Sequence, residues 1–491
     1  MFASVAFLSI LPESLILILG VILLIVEPFL KEPRRRDLGW LTAGGMLVIL
    51  IVSILAGRPA DPTSTFGNTI RFDWLGFFFE MLFVFGAGMT ALLLMDHEKV
   101  GGRGEAYVLL LASTIGMCLM ASAADLIMLY LAIETTSIPL YVLAGFLLAD
   151  DRSTESGFKY LLFGAMTSAI MLYGFSLLYG FAGTTNLYAL ADVIKAGQIA
   201  PGVIFGVIVL LIVGLSFKVS VVPFHFWAPD VYEGAPTPVS GFLSTASKAA
   251  GFAVIARLFL VAFPHFTVDW TAAFAVLSAV TMTVGNLLAL PQKNLKRMLA
   301  YSSIAHAGYA MIGIVAYSQA QSGLHNPQLG IASVVFYMAA YIVTNLAAFG
   351  VVMAVGRVVG SDDYDAYRGL SRRSPLLGLI MLAAFLSLAG MPPFAGFVAK
   401  VVVFAAGIQS GYVWLVIIGI LNSIVGVYYY LNVIKYVYLY RLEGEDEEKH
   451  PVTLTRPYAV ALIVLVLGII LIGTVFAPWY SYSNAAALNL F

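Results

Sequence analysis

The sequence predicts an all-α, polytopic membrane protein of about fourteen transmembrane helices. Hydrophobic residues make up 61% of the 491-residue chain and charged residues only 11%, and the mean hydropathy is +0.94. So little charge could not cover a soluble domain of this length. The apolar runs are long and continuous rather than alternating, which favours transmembrane helices over a β-barrel.

Runs of roughly 20 apolar residues, the length that crosses the hydrocarbon core, mark the predicted spans. Their approximate bounds are 9–29, 38–56, 74–95, 104–122, 125–149, 157–182, 203–222, 238–262, 270–290, 299–317, 329–355, 377–408, 412–440 and 454–477. We predict a single membrane domain. It has helices 1–3 in residues 1–103, a five-helix repeat in 104–262, a second repeat in 263–440, and a fourteenth helix in 441–491.

The basic residues of the loops are distributed unequally between the two faces. Loops after odd-numbered spans hold seventeen of them: Lys31, Arg34, Arg35, Arg36, Lys99, Arg103, Arg152, Lys293, Lys296, Arg297, Arg357, Arg368, Arg372, Arg373, Arg441, Lys449 and Arg456. The opposite loops hold only Arg58, Arg71 and Lys195. Cytoplasmic loops carry the excess of Lys and Arg, so both termini are predicted on the outer, periplasmic side of a bacterial inner membrane.

Two further segments bear on the ends of the chain. The first charge is Glu13 and no basic region precedes the first apolar run, which predicts a retained helix rather than a cleaved signal peptide. The acidic run "EGEDEEK" is predicted to be a solvated linker in a cytoplasmic loop.

The composition also limits the chemistry of the chain. The single cysteine, Cys118, excludes a disulfide framework and a cysteine-ligated iron–sulfur cluster. No Gly-rich nucleotide fingerprint and no metal-ligand spacing of His or Cys is found in the sequence. We therefore expect this chain to bind no cofactor, metal or nucleic acid. We expect lipid around its transmembrane spans.

Several ionisable side chains fall inside the predicted spans, where one charge costs about 2.5–3.5 kcal/mol on insertion scales. They are Glu134, Lys159, Lys218, Lys248, His306 and Lys400. Ion pairing or snorkelling remains open for each lysine alone, and Arg257 is close enough to a helix end to snorkel. Glu134 is the one acid expected among these lysines, so they cannot all be paired. An unpaired lysine in a low dielectric releases its proton more readily, and a series of them predicts a proton relay.

Two predicted spans are interrupted by proline beside a lysine. Pro223 follows Lys218 in "SFKVSVVPFHFW", and Pro392 and Pro393 precede Lys400 in "SLAGMPPFAGFVAK". Proline removes a backbone donor and breaks or kinks the helix. The breaks lie an odd number of spans apart, which predicts two inverted five-helix repeats, each containing a broken helix. A merely structural kink remains open at either break alone.

Three segments carry a resemblance to a known family: "FKVSVVPFHFWAPDVYEGAPTPVSGFLSTASKAA", "QKNLKRMLAYSSIAHAGY" and "GMPPFAGFVAK". They resemble the antiporter-like subunits of bacterial respiratory complex I, the NADH–quinone oxidoreductase, and most closely subunit N. Subunit L usually carries a long lateral helix after its last span, which this sequence lacks. Subunit M usually has a glutamate on the broken twelfth span, where this chain has Lys400.

The resemblance implies a proton-translocating subunit with a role for each buried residue. Glu134 and Lys159 match a buried acid–lysine pair, and Lys218 matches the central proton-carrying lysine. Lys248 matches the lysine that connects the two halves, and Lys400 matches the terminal lysine that communicates with the outside.

Two histidines complete the set implied by the resemblance. His306 matches a position of the central polar axis, and His225, in "PFHFW" near the cytoplasmic surface, is assigned a structural role first. NADH, flavin, iron–sulfur clusters and quinone are expected in partner subunits. Those partners are subunit M, small membrane subunits and, indirectly, the peripheral redox arm. The alternative is a subunit of a multi-component sodium/proton antiporter with the same fold, in which "PDVYEGAP" is not expected.

Overall fold

A computed structural model describes residues 2–317, 328–440 and 451–488, and these residues are almost entirely helical. In chain order the helices are α1 (Phe2–Leu8), α2 (Leu11–Val26), α3 (Leu38–Ala56), α4 (Trp74–Leu94), α5 (Gly104–Ser122), α6 (Leu126–Ala144), α7 (Asp151–Ala182), α8 (Leu187–Lys195), α9 (Pro201–Val219), α10 (Trp227–Gly234), α11 (Thr237–Phe242), α12 (Lys248–Ala262), α13 (Thr267–Ala289), α14 (Leu295–Ala316), α15 (Gln328–Val359), α16 (Leu370–Arg373), α17 (Pro375–Ala389), α18 (Ala395–Gln409), α19 (Val413–Tyr438), α20 (Arg456–Thr474) and α21 (Phe476–Leu488).

The predicted span count is confirmed. Thirteen helical segments of the described residues are long and apolar enough to cross a membrane, and α17 with α18 supplies the fourteenth in two halves. Hydropathy placed the start of the sixth span at residue 157, but α7 begins at Asp151 because the side chain of Asp150 accepts a hydrogen bond from the Arg152 N–H at 3.0 Å. The acidic run at 443–449 lies outside the described residues.

Both predicted helix breaks are present. α9 ends at Val219, Ser220 adopts a left-handed conformation with φ +58°, and helical structure resumes at α10. α17 ends at Ala389, Gly390 has φ +83°, and α18 begins at Ala395. The face where α2 begins is called the first face and the face where α2 ends the second face. α9 runs from the first towards the second, and α17 with α18 runs the opposite way, as the inverted repeats require.

The centre of the molecule is formed by three helical spans whose side chains are almost all buried: α11–α12, α14 and α15. Small residues let neighbouring helices approach closely. A Cβ on Gly308 of α14 would lie 2.8 Å from the Met282 backbone nitrogen of α13, and one on Gly285 would lie 2.7 Å from the Ala305 nitrogen. The buried span α11–α12 contains a π-helical turn, Leu243–Ser247.

Backbone pairing joins the loops at the first face. Strands β1 (Thr63–Thr65) and β2 (Ile70–Phe72) form a hairpin between α3 and α4. Ile70 pairs with Ala123, and Asp125 pairs with Asn186, so the loop between α5 and α6 is bonded on both sides.

At the second face, one carboxylate joins distant parts of the chain. Asp96, just after α4, accepts a hydrogen bond from Arg357 Nη1 at 2.8 Å and another from Thr455 Oγ1 at 2.6 Å. The contact places the ends of α15 and α20 against the end of α4.

Arg257 does not snorkel as expected but forms a buried ion pair at the first face. Its Nη1 and Nη2 lie 2.7 and 2.8 Å from the two carboxylate oxygens of Asp73, and its Nε donates to the Ala121 carbonyl at 2.8 Å. Asp73 also caps α4 by accepting from the Gly76 N–H at 2.8 Å. Every polar atom of the pair has a partner, which is the condition under which a buried pair is tolerated.

Breaking this pair should cost much more than breaking an exposed one. Asp73→Asn keeps the cap of α4 but leaves the Arg257 charge buried and unpaired, so we expect a loss of about 3–5 kcal/mol of stability. The matched control is Asp365→Asn, whose pair with Arg368 is exposed and should contribute no more than about 1 kcal/mol. Unfolding of the two purified variants measures the difference, and equal losses would contradict the structural role of the Asp73–Arg257 pair.

Candidate functional site

Lys218 lies in the last turn of α9, directly before the helix break. It is 5% exposed, and its Nζ donates a hydrogen bond to the Ser137 hydroxyl of α6. That hydroxyl donates in turn to the Ile133 carbonyl at 2.5 Å. The C-terminal end of a helix carries partial negative charge, which favours an ammonium at this position.

Glu134 acts on Lys218 rather than on Lys159. It lies one turn before Ser137 on α6, attracts the Lys218 ammonium electrostatically, and accepts a hydrogen bond from Ser168 of α7. Lys159 lies on the same helix as Ser168 but nine residues earlier, about 13 Å along the axis. The predicted Glu134–Lys159 pair was therefore wrong, because the sequence does not fix the relative depth of two neighbouring helices.

Lys159 instead belongs to an ion cluster at the second face. Its Nζ lies 2.6 Å from both Glu155 and Asp230, and Arg297 lies 2.8 Å from Asp230 and 2.9 Å from Glu233. Burial acts to raise the pKa of Asp230, but the hydrogen bonds from Lys159 and Arg297 outweigh it and hold that pKa below its ordinary value.

A cavity of ≈ 340 Å³, with both ionisable and apolar side chains in its wall, opens beside this cluster. Its wall includes Lys159, Asp230 and Arg297, together with His225 and Tyr301. The side chain of His225 is buried, and within the described part of the chain its Nδ1 has no hydrogen-bond partner. Burial lowers the pKa of His225, the backbone of Pro223 partly opposes this, and the Lys248 charge lowers it further.

Lys248 follows the π-helical turn and is 2% exposed. Such turns recur at functional sites because they redirect the side chains that follow. The Lys248 Nζ donates to the Ser303 carbonyl at 2.9 Å and lies 5.9 Å from the centre of the Tyr232 ring. One turn further on, Gly251 packs against Lys218, since a Cβ there would lie 3.5 Å from the Lys218 Cβ. The two lysines therefore lie on packed elements.

His306 lies between Lys248 and Lys400, and both lysines interact with it electrostatically. Its Nδ1 is 2.6 Å from the Tyr337 hydroxyl and its Nε2 is 3.2 Å from the Tyr430 hydroxyl. Each ring nitrogen thus faces a group that can either donate or accept.

Lys400 lies in α18, just after the second break. Its Nζ donates to the carbonyls of Leu388 at 3.0 Å and Ala389 at 3.1 Å, and to Ser423 Oγ at 2.8 Å. The Tyr309 ring lies 5.0 Å from the ammonium. The two carbonyls belong to the last turn of α17, so this lysine also lies at the C-terminal end of the first half of a broken helix.

A small cavity of ≈ 10 Å³ separates His306 from the second break. It is lined by Tyr337, Tyr341, Thr344 and Ser387, and by Leu388, whose carbonyl accepts from Lys400. This volume is about that of one water molecule, but the surface of the cavity is almost entirely apolar, and a buried water needs polar partners.

Sequence reasoning missed two groups of residues. Glu13 and Glu80 are buried, at 6% and 5% exposed, so the expectation that Glu134 is the one acid inside the spans was wrong. Their positions inside apolar runs, in "LPESL" and "FFFEML", were the available signal. The second group is the set of tyrosine hydroxyls around His306. Tyrosines are common in membrane helices, so their positions in the sequence do not indicate this network. Among the residues that the structure describes, no group of His, Cys, Asp and Glu is placed to hold a metal ion.

The fold and this line of buried amines define an antiporter-like membrane subunit, and the family model described as "NADH:quinone oxidoreductase/Mrp antiporter, TM" matches residues 123–426. NADH-quinone oxidoreductase subunit N of Moorella thermoacetica is 42% identical over 481 residues, which are 98% of each chain. The chain belongs to the NADH-quinone oxidoreductase subunit N family.

Solved structures agree with this assignment. A chain of respiratory complex I from Thermus thermophilus, solved with bound aureothin, matches with a TM-score of 0.79 and 32% identity, over 96% of this chain and 98% of that one. A chain of the Mrp complex from Dietzia matches with a TM-score of 0.83 over 100% and 98% of the two chains, but at 18% identity, which shows the shared fold alone. These findings confirm the resemblance to subunit N and favour it over the alternative, a subunit of a sodium/proton antiporter.

The ion cluster predicts a pH-dependent loss of stability in Asp230→Asn. The native pKa of Asp230 lies below its unfolded value of about 3.9. Its carboxylate therefore contributes stability above that value, and the contribution is lost as the pH falls through the native pKa. The difference in melting temperature between wild type and Asp230→Asn should be largest near pH 7 and shrink below about pH 4.

The control for this prediction is Glu155→Gln, which removes the other carboxylate on Lys159. Glu155 is 61% exposed, so its loss should change stability by less than about 1 kcal/mol at any pH. Equal, pH-independent shifts in the two variants would contradict the role of Asp230 as the centre of the cluster.

Proposed function

We propose that this chain is a proton-translocating membrane subunit of NADH–quinone oxidoreductase, with a relay formed by Glu134, Lys218, Lys248, His306 and Lys400. The observation that carries the proposal is the position of the two lysines at the helix breaks, each at the end of a first half-helix. Lys248 and His306 lie between them, and the hydroxyls of Tyr337 and Tyr430 face the two ring nitrogens of His306.

Proton uptake is assigned to the cavity beside the ion cluster at the second face. Lys159 and His225 line it, and His225 lies in the segment that links Lys218 to α10. At Lys218 the proton is received beside the Ser137 hydroxyl, and the Glu134 carboxylate attracts the charged amine. Transfer then proceeds to Lys248 on the adjoining helix, to His306 through groups that both donate and accept, and to Lys400. Each step moves one proton between neutral and charged forms of these side chains.

Glu134 offers a route by which a neighbouring subunit can control the relay. It is half-buried on α6, between Leu131 and Ile138, which are each 56% exposed. A membrane subunit packed on this face would change the solvation and charge around Glu134, and so the proton affinity of Lys218. Subunit M, the small membrane subunits and, indirectly, the redox arm are the proposed partners. NADH, flavin, iron–sulfur clusters and quinone are assigned to those partners.

The orientation proposed is with both termini on the periplasmic side of the cell membrane. The distribution of basic loop residues supports it. The second face, with the ion cluster and the cavity beside it, is then cytoplasmic. A reporter that is active only in the periplasm, fused behind residue 488, tests this orientation.

A positive charge alone should not be sufficient for proton transfer at Lys218 and Lys400, the lysines of the two helix breaks. Arg keeps the charge but holds its proton too tightly to release it, with a pKa above ~12, whereas Met keeps only the length. We expect Lys218→Arg, Lys218→Met and the same two changes at Lys400 all to impair quinone reduction and proton uptake together in reconstituted vesicles. Assembly on native gels is the control, and a normal proton-to-electron ratio with Arg at both positions would exclude the carrier role.

The revised pairing of Glu134 predicts a specific pattern of non-additivity. The effects of Glu134→Gln and Lys218→Met on proton uptake should depart from a simple product by at least about threefold, because each change removes a charge that interacts with the other residue. The effects of Glu134→Gln and Lys159→Met on proton uptake should multiply within experimental error, since these two residues do not pair. Coupling of Glu134 with Lys159 and not with Lys218 would restore the original pairing.

A further inference from the structure

An apolar groove lies between α3, α4, α15 and α20, with α21 at one end, and its volume is ≈ 560 Å³. Phe78 of α4, Val343 of α15 and Leu467 of α20 are representative of its walls. Leu467 is 51% exposed and Leu471 is 49% exposed, so the α20 wall faces the lipid phase. The groove contains none of the relay residues.

The mouth of the groove has a different chemistry from its walls. Arg58, Trp74, Trp479 and Tyr482 lie there, because α3 ends, α4 begins and α21 begins at the first face. Arg58 is the single charged residue of the lining, it is exposed, and it has no hydrogen-bond or ion-pair partner within residues 2–317, 328–440 and 451–488. Trp and Tyr are the residues that occupy the level of lipid headgroups.

The depth of the groove corresponds to one leaflet. Along α4 the lining runs from Trp74 to Phe85, which is about 16 Å at 1.5 Å per residue. Half of a hydrocarbon core of about 30 Å has the same depth. A transmembrane helix of a partner would need a channel through the whole core, so the groove suits an occupant of half that length.

We propose that the groove binds one anionic phospholipid of the leaflet at the first face, with its phosphate at Arg58 and its acyl chains against the apolar walls. The charge at the mouth, the aromatic residues at headgroup level and the one-leaflet depth all match this ligand. This binding is independent of the proton relay.

A photoreactive lipid tests the site in the assembled complex. The probe is phosphatidylglycerol with a diazirine at the end of one acyl chain, reconstituted with the complex in nanodiscs and mapped by mass spectrometry. We expect labelling of the groove walls on α20 several-fold above that of other exposed α20 positions. Leu467→Trp should fill the groove and reduce this labelling, whereas Ile463→Trp, one turn away and 45% exposed but outside the groove, should not.

The headgroup contact is tested separately with Arg58. Arg58→Gln should weaken competition by unlabelled phosphatidylglycerol about fivefold, the effect of one basic residue at a membrane surface, while Arg58→Lys retains it. Phosphatidylcholine, whose choline cation offsets the charge of its phosphate, should lose much less competition on Arg58→Gln than phosphatidylglycerol does. Three outcomes would overturn the proposal: labelling that is equal at positions 463 and 467, labelling that is insensitive to Leu467→Trp, or a groove labelled in the isolated chain but not in the complex, which would mean that a neighbouring subunit fills it.

Discussion

The hydrogen bonds from the Lys400 ammonium to the carbonyls of Leu388 and Ala389 are the interaction on which the candidate site depends. A helix that ends inside a membrane leaves carbonyls without N–H partners, and the surrounding hydrocarbon cannot supply any. The lysine satisfies them, and they in turn stabilise its charge. The broken helix and the buried amine therefore stabilise each other. Without the amine the carbonyls would lack partners, and without the carbonyls the buried charge would lose two of its acceptors. Lys218 also lies at the end of a half-helix, in the last turn of α9, but its Nζ donates to the Ser137 hydroxyl of α6.

Apart from Lys248, the region between these two amines is built from groups without fixed charge. Ser137, Tyr337 and Tyr430 present hydroxyls that can rotate, donate and accept, and His306 has two nitrogens with different partners. Additional permanent charges would each need a buried partner of opposite sign. Hydroxyls can continue a path of hydrogen bonds at a much lower electrostatic cost than permanent charges. This explains why the most buried helices of the molecule can hold the network.

Much of the fold and part of the site could be predicted because their signals are local in the sequence. A lysine or a proline inside an apolar run, as at Lys218 and Lys400, is visible without knowledge of the packing. The partner of Glu134 was not predictable in this way, because hydropathy does not specify which turn of α7 lies at its depth. Packing places Ser168 there and Lys159 more than two turns away, where Asp230 of α10 and Glu155 of α7 itself are its acids. The same limitation applies to the tyrosines, whose role depends entirely on what they contact.

The three-way contact of Asp96 has a consequence for the order in which the protein is made. Its partners Arg357 and Thr455 lie 261 and 359 positions further along the chain. The first spans leave the ribosome early, yet the carboxylate after α4 meets its partners only when α15 and α20 have been inserted. Contacts of such sequence separation form slowly and expose intermediates to wrong associations. The N-terminal helices must therefore persist in the membrane in an incomplete arrangement until the last span has been synthesised and docks against them.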